Sequence, residues 1–309
     1  MKKNKFTASM LVVLLIFLTA TAFPKNTKLA SKDNLEVIKE KTFSISPNKN
    51  LYLQTDQGDI SVNTWDESKV YVKILGNEKA KDKMTFDFSS SEDKIEIRAK
   101  KPHSFFNLFS SGIRLRFEIK VPKNFNVNLH TAGGNISVED LTGENLLRTS
   151  GGNINLNHLA GNLDAKTSGG NFDINDITGK IKISTSGGNI SAKNFNGDFD
   201  ASTSGGNIDL KGTNSRIDAE TSGGSVYAEY TGENKGIKLE TSGGEVTLKV
   251  SKSISADVNL STSGGSVNCD LTMSDIHKSS HSSLRGKVNG GGNEIRLESS
   301  GGNVSLEGY

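Results

Sequence analysis

The chain has 309 residues, of which 33 are Gly, 38 Ser and 30 Asn, so about a third of it is small, polar and turn-favouring. With 33% apolar residues the core must be thin, and 4 Pro exclude collagen and a proline-rich linker. The balance of 37 basic to 35 acidic side chains lacks the basic footprint of a nucleic-acid binder, and one Cys excludes an internal disulfide.

In chain order, Lys2, Lys3 and Lys5 precede an unbroken apolar run from Leu11 to Leu18, and Ala20 and Ala22 supply the small residues of a cleavage site. This layout predicts a secretory signal peptide over residues 1–22, cleaved near Ala22. The run is too short for a spanning helix, which needs about 20 apolar residues. Its removal takes away three Lys and no acid, turning the 37-to-35 balance into 34 to 35. The expected location is extracytoplasmic: periplasm, cell surface or secreted. No later run is long and apolar enough to span a bilayer.

Residues 23–40 read as an N-terminal linker and 41–130 as a strand-rich capping region continuous with a repeat region. Leu51–Leu53, Val70–Ile74, Ile95–Ile97 and Ile113–Ile119 all alternate apolar and polar residues, the period of half-buried strands, but at irregular spacing. Phe105, Phe106, Leu108 and Phe109 fall between two of these strands, and four large apolar residues in a hairpin tip either fold over the first coil as part of the cap or offer a candidate contact for a partner or membrane.

From residue 131 a short period governs the chain. The Thr131 motif, Thr-Ala-Gly-Gly-Asn-Ile-Ser-Val, recurs from Thr149, Thr167, Thr185, Thr203, Thr221, Thr241, Thr262 and Ser299. The steps from Thr131 to Thr221 are equal. The next two are slightly longer and read as small insertions, the last is about twice as long, and a degenerate copy begins at Thr55. Each period carries two short alternating stretches and two turns. Its few apolar side chains cannot offset the cost of ordering about 18 residues at about 1.5 kcal/mol each. The periods must therefore stack, which predicts an all-β, single-stranded β-solenoid over 131–309, with coils of about 18 residues and two strands each.

Stacking predicts columns. Ile136, Ile154, Phe172, Ile190, Ile208, Val226, Val246 and Val267 form one interior column, and Cys269 ends the next. Asp164, Lys182, Asp200, Asp218 and Lys238 form an outward one. Gly133 with Gly134, Gly151 with Gly152, Gly169 with Gly170, Gly187 with Gly188 and Gly205 with Gly206 mark turns, where glycine reaches positive φ without a Cβ clash. Asn135, Asn153, Asn171, Asn189 and Asn207 follow them as a ladder of amides. The Ser/Gly-rich stretch 272–292 reads as a loop.

The chemistry is sparse, and no catalytic, cofactor-binding or metal-binding residue is assigned. The calcium-binding nonapeptide repeat wants Gly where Ile154 stands and a liganding Asp where Leu156 stands. Asp173 and Asp209 share an outward column two strands apart, about 10 Å, a loose match to a glycosidase pair. His277 and His281 have the spacing of a helical metal pair in a segment that does not favour helix.

The strand-rich lead-in with Gly58–Val62 and Trp65, then Val121-Pro122-Lys123 and the train of Thr-Ser-Gly-Gly-Asn-Ile repeats, resembles the bacterial putative-adhesin family, also called Toastrack, which is related to an autotransporter adhesin head domain. The resemblance covers about residues 40–309 and implies a β-solenoid outside the cytoplasm, with no family catalytic residues to carry over. The expected function is non-enzymatic binding of an envelope glycan or protein through outward ladders of Asn, Ser, Thr and Asp. An envelope-stress signalling module and a polysaccharide-active enzyme are the alternatives.

Overall fold

The computed structural model describes residues 35–101 and 112–309. The expected signal peptide and the Phe105, Phe106, Leu108 and Phe109 tip lie outside the described residues. The chain runs through β1 (Glu36–Ser44), β2 (Asn50–Thr55), β3 (Asp59–Trp65), β4 (Lys69–Gly76), the short helix α1 (Glu78–Lys83), β5 (Thr85–Ser90), β6 (Lys94–Lys100), β7 (Leu115–Pro122), β8 (Asn126–Thr131) and β9 (Ile136–Glu139). The regular repeats supply β10 (Asn145–Thr149), β11 (Ile154–Ala160), β12 (Leu163–Lys166), β13 (Phe172–Ser184), β14 (Ile190–Thr203), β15 (Ile208–Thr213), β16 (Arg216–Thr221), β17 (Val226–Thr231), β18 (Ile237–Thr241) and β19 (Val246–Val250). The C-terminal part adds β20 (Ala256–Thr262), β21 (Val267–Cys269), β22 (Met273–Ser280), β23 (Ser283–Val288), β24 (Glu294–Ser299) and β25 (Val304–Gly308).

These strands form one long open sheet, not a barrel, in two stacks joined by the long β13 and β14. In the regular part the pairing is parallel and neighbours are one repeat apart: Ile136 lies beside Ile154, Ile154 beside Phe172, and Phe172 beside Ile190. The alternation seen in the sequence sets which side is buried. Ile154, Leu156, Leu163 and Ala165 point inward and are buried, and the inward side chains of both stacks make one continuous core.

The Thr-x-Gly-Gly turn has a specific mechanism. Each buried Thr hydroxyl accepts from the N–H of the second Gly of its own turn and donates to the carbonyl of the second Gly one repeat below. Thr167, for example, accepts from Gly170 N at 3.2 Å and donates to Gly152 O at 2.9 Å. That approach brings backbones so close that a Cβ on Gly170 would stand 1.9 Å from Gly152 O. The second glycine is therefore required by contact with the neighbouring repeat. None of the glycines paired in these turns has positive φ, contrary to the expectation. In the first repeats the leading glycine is open: a Cβ on Gly133 or Gly151 meets nothing within 4 Å. Positive φ belongs to the other corner, at His158 (φ 52°) and Gly161 (φ 117°) and their equivalents.

The ends depart from chain order. Strands β24 and β25, the last in sequence, insert between β18–β19 and β20–β21. Val267 accordingly lies beside Val304, not beside Val246 as the column predicted. The hydroxyl relay records the same order: Ser299 donates to Gly244 O and Thr262 to Gly302 O. At the other end β2 and β3 are sandwiched between β6–β7 and β8–β9.

Antiparallel strands cover the ends. Strand β4 pairs with β7, β1 with β4, and β5 with β6. Residues 36–40, expected in a linker, belong to β1. Phe43 and Phe88 stack at 6.2 Å between these two end strands and close the core. At the C-terminal end the stretch 272–292, expected as a loop, contains the β22–β23 hairpin, and β23 runs antiparallel to β20. An uncovered sheet edge invites pairing with other chains, which gives this polar hairpin a place.

Candidate binding faces

Two outer faces carry the exposed side chains of the repeats. Face A, outside the stack that follows the Gly-Gly turns, presents in register Ser61, Ser137, Asn155, Asp173, Ser191, Asp209, Tyr227, Thr247, Ser305 and Asn268. Among these ten only Asp173 and Asp209 are charged, so this stretch is almost wholly hydroxyl and amide, and beyond Ser61 the row continues to Glu118 on β7. Both carboxylates are exposed, with Ser191 between them.

Beside that row runs a hydrogen-bonded chain. Asn194 Nδ2 donates to Asn175 Oδ1 at 3.1 Å, Asn175 Nδ2 to Asn157 Oδ1 at 2.9 Å, and Asn157 Nδ2 to Glu139 Oε1 at 3.3 Å. Within this chain Asn175 uses one amide N–H and one carbonyl lone pair, leaving the second of each for a ligand. Asn157 also meets His158 Nδ1 at 2.9 Å and keeps a carbonyl lone pair. A shallow groove of about 250 Å³ lies here, lined by Ser137, Asn155, Asn157, Asp173 and Asn175 among others.

The Asn column after the Gly pairs bonds to a different partner from the one expected. Asn135 Oδ1 accepts from Asn153 N at 2.8 Å, Asn153 from Asn171 N, Asn171 from Asn189 N and Asn189 from Asn207 N. These amides bond to backbone and hold the turns together. The amide-to-amide ladder is instead the Asn157 column, which lies outside the predicted columns. Its signal in the sequence is the recurrence of Asn157 as Asn175 one repeat later.

Face B, outside the other stack, is charged. One row reads Arg98, Gln54, His130, Arg148, Lys166, Ser184, Ser202, Glu220, Glu240, Glu298 and Ser261 across neighbouring strands. The adjacent row holds the expected column Asp164, Lys182, Asp200, Asp218 and Lys238. Arg148 pairs with Asp164 at 2.7 Å, and Arg216 pairs with Asp200. Glu220, Glu240 and Glu298 on adjacent strands repel, and Arg296 compensates by bonding Glu298 at 2.9 Å and standing 3.5 Å from Glu240. Burial pushes the Glu298 carboxyl up, but the Arg296 hydrogen bond and charge outweigh it and hold the group below the usual range.

A larger groove of about 560 Å³ opens at the N-terminal part of face B, with half-buried Tyr52 and Leu146 among amides and charges. Asn145 reaches it from below, 4% exposed, and its Oδ1 has no protein partner, a carbonyl for which a buried water is the ordinary partner.

Cys269 is half-buried on the end strand β21, packed against the core edge, and burial pushes its thiol up. His277 lies on the strand β22, where residues four apart do not share a helical face, and is exposed. Among the described residues no group of three or more His, Cys, Asp or Glu is placed to hold a metal ion, and no helix is long and apolar enough to cross a membrane.

A sequence model of the family described as Toastrack DUF4097 matches residues 48–307. No curated protein matches the chain. Among solved structures, a "putative adhesin" from Parabacteroides distasonis is 13% identical, covers 88% of this chain and 98% of its own, and has a TM-score of 0.44. A "putative adhesin" from Bacteroides fragilis is 14% identical, with 89% and 98% covered and a TM-score of 0.40. A "putative lipid binding protein" from Parabacteroides distasonis is 13% identical, with 87% and 96% covered and a TM-score of 0.30.

Proposed function

The chain belongs to the Toastrack DUF4097 family, and from that premise we propose that it is an exported, non-enzymatic β-solenoid adhesin that holds an envelope glycan along face A. The carrying observation is the amide ladder Asn194–Asn175–Asn157–Glu139 beside a row of hydroxyls and amides. Glycans present rows of hydroxyls that both donate and accept. An amide offers both functions at fixed spacing, and a carboxylate accepts from two hydroxyls at once. Neighbouring strands repeat these groups at about 4.8 Å, so a polymer lying across the strands meets the same chemistry several times. Weak single contacts then add through multivalency. The exported location rests on the signal-peptide layout of residues 1–22.

The experiment is a glycan array and a pull-down on insoluble cell-wall polysaccharide, comparing the chain with Asn155→Ala/Asn157→Ala/Asn175→Ala. These side chains are on the surface, so the variant keeps the fold, checked by circular dichroism. Retention of a glycan by the chain and its loss in the variant is the expected result. A chain that retains no glycan, or a variant that retains it equally, overturns the reading.

A further inference from the structure

Face B carries its charges in an order that a merely solvated surface does not need. The row from Arg98 to Ser261 is basic in one half and acidic in the other, and the halves are arranged symmetrically about the point between Ser184 and Ser202. Counting outward from that point, Lys166 and Glu220 stand at equal distance, then Arg148 and Glu240, then His130 and Glu298. The fourth pair, Gln54 and Ser261, is neutral on both sides.

We propose that face B is the contact surface of a symmetric dimer of this chain. A two-fold axis parallel to the strands, midway between β13 and β14, turns one face onto the other and reverses the order of strands. It lays Lys166 against Glu220 of the second copy, Arg148 against its Glu240 and His130 against its Glu298, and each contact occurs twice. This is the self-complementary geometry of a two-fold interface. In the neighbouring row the same operation sets Lys182 against Asp200 of the second copy. It also opposes Asp164 to Asp218, a like-charge contact softened because Arg148 holds Asp164 at 2.7 Å and Arg216 and Lys238 stand 3.9 and 3.8 Å from Asp218.

Two further observations fit a covered face. Among the described residues, Lys166 and Glu220, the innermost complementary pair, make no hydrogen bond or ion pair to another side chain within the chain, and Glu220 feels only the more distant charge of Lys238 on the next strand. Tyr52 and Leu146 stay half-exposed on this face, inside its broad groove, and a second copy removes that apolar surface from water. About eleven strands at about 4.8 Å spacing and three rows of side chains span about 700 Å² per copy, close to an ordinary specific interface. Two faces of equal twist can lie on each other at a small angle. The proposal is independent of the glycan reading, which uses face A.

The test is the mass of the full chain by sedimentation and light scattering at about 0.01 M and about 1 M salt, where charges are felt over about 30 Å and about 3 Å. The expected result is a dimer at low salt that splits at high salt. Lys166→Glu and Glu220→Lys each weaken it more than tenfold, because each reversal opposes like charges twice. Mixing the two variants restores a dimer. The carboxylate introduced at position 166 of one chain then meets the ammonium introduced at position 220 of the other, while the native pair forms at the second contact. The neutral variants Lys166→Gln and Glu220→Gln, which add no repulsion, weaken it by a smaller factor. A chain monomeric at low salt, a dimer that either reversal leaves intact, or a mixture that stays monomeric overturns the proposal.

Discussion

Thr185 donates its hydroxyl to the Gly170 carbonyl of the repeat below at 2.9 Å. The same oxygen accepts from Gly188 N at 3.3 Å in its own turn, so one buried atom ties two repeats together and shapes the turn between its strands. Ser299 does the same at the last repeat, which shows that the hydroxyl and not the methyl is needed.

Thr185→Val keeps the volume and removes the relay. A buried N–H and a buried carbonyl then lose a partner, each at about 1–3 kcal/mol. Thermal unfolding will show a loss of several kcal/mol, whereas Thr185→Ser will stay within about 1 kcal/mol. Equal losses for the two variants would refute the relay.

The two glycines of a pair will behave oppositely. A Cβ on Gly152 stands 1.9 Å from Gly134 O, so Gly152→Ala must push apart two backbones, and the protein will lose soluble yield or unfold at a much lower temperature. Gly151→Ala meets nothing within 4 Å and will change stability by less than about 1 kcal/mol. Denaturant melts of the two variants side by side decide it.

Removing residues 289–309 will do more than shorten the stack. Strands β24 and β25 pair on both sides, with β18–β19 and with β20–β21, so their loss bares both sets of edges and detaches β20–β23 from the remaining strands. Limited proteolysis of the truncated chain will cleave between residues 251 and 288, while residues 112–250 stay protected. Protection of 251–288 would mean that β20–β21 moves directly onto β18–β19.

Cys269 will be a slow thiol. Burial at the core edge pushes it above the ordinary cysteine range, and the hydrogen bond with the Leu271 backbone only partly opposes this. Since the thiolate is the reactive form, alkylation near neutral pH will be several-fold slower in the folded chain than in urea and will rise with pH. A folded-state rate at neutral pH matching the unfolded one would contradict this placement.

The parts legible in sequence are those that recur at a fixed step. Alternation around Ile154 and Leu156 sets their inward direction, and the repeat period sets who lies beside whom from Ile136 to Ile208. The two longer steps after Thr221 read as small insertions, and for Thr221 to Thr241 that is what the pairing shows. For Thr241 to Thr262 it is not, because Ser299 stands between them. Repeats with the same turn and the same inward residues have interchangeable edges, so their spatial order is not encoded in the repeat itself. It depends on the hairpin β22–β23 and the Gly-rich 290–292 link, which let the last repeat turn back.

The ladders show the same division. The Asn135 and Asn157 columns look alike in sequence, and only the distances separate them, one bonded to backbone and the other amide to amide. The opposed charges of Lys166 and Glu220 lie three repeats apart along the chain and acquire meaning only once strands from both halves lie in one row. The all-β class, the period and the buried face are readable from the residues alone, because these follow from local alternation and a repeated step. The order of the end repeats, the need for the second glycine and the charge symmetry of face B emerge in three dimensions, because each arises from contacts between repeats that local pattern leaves equivalent.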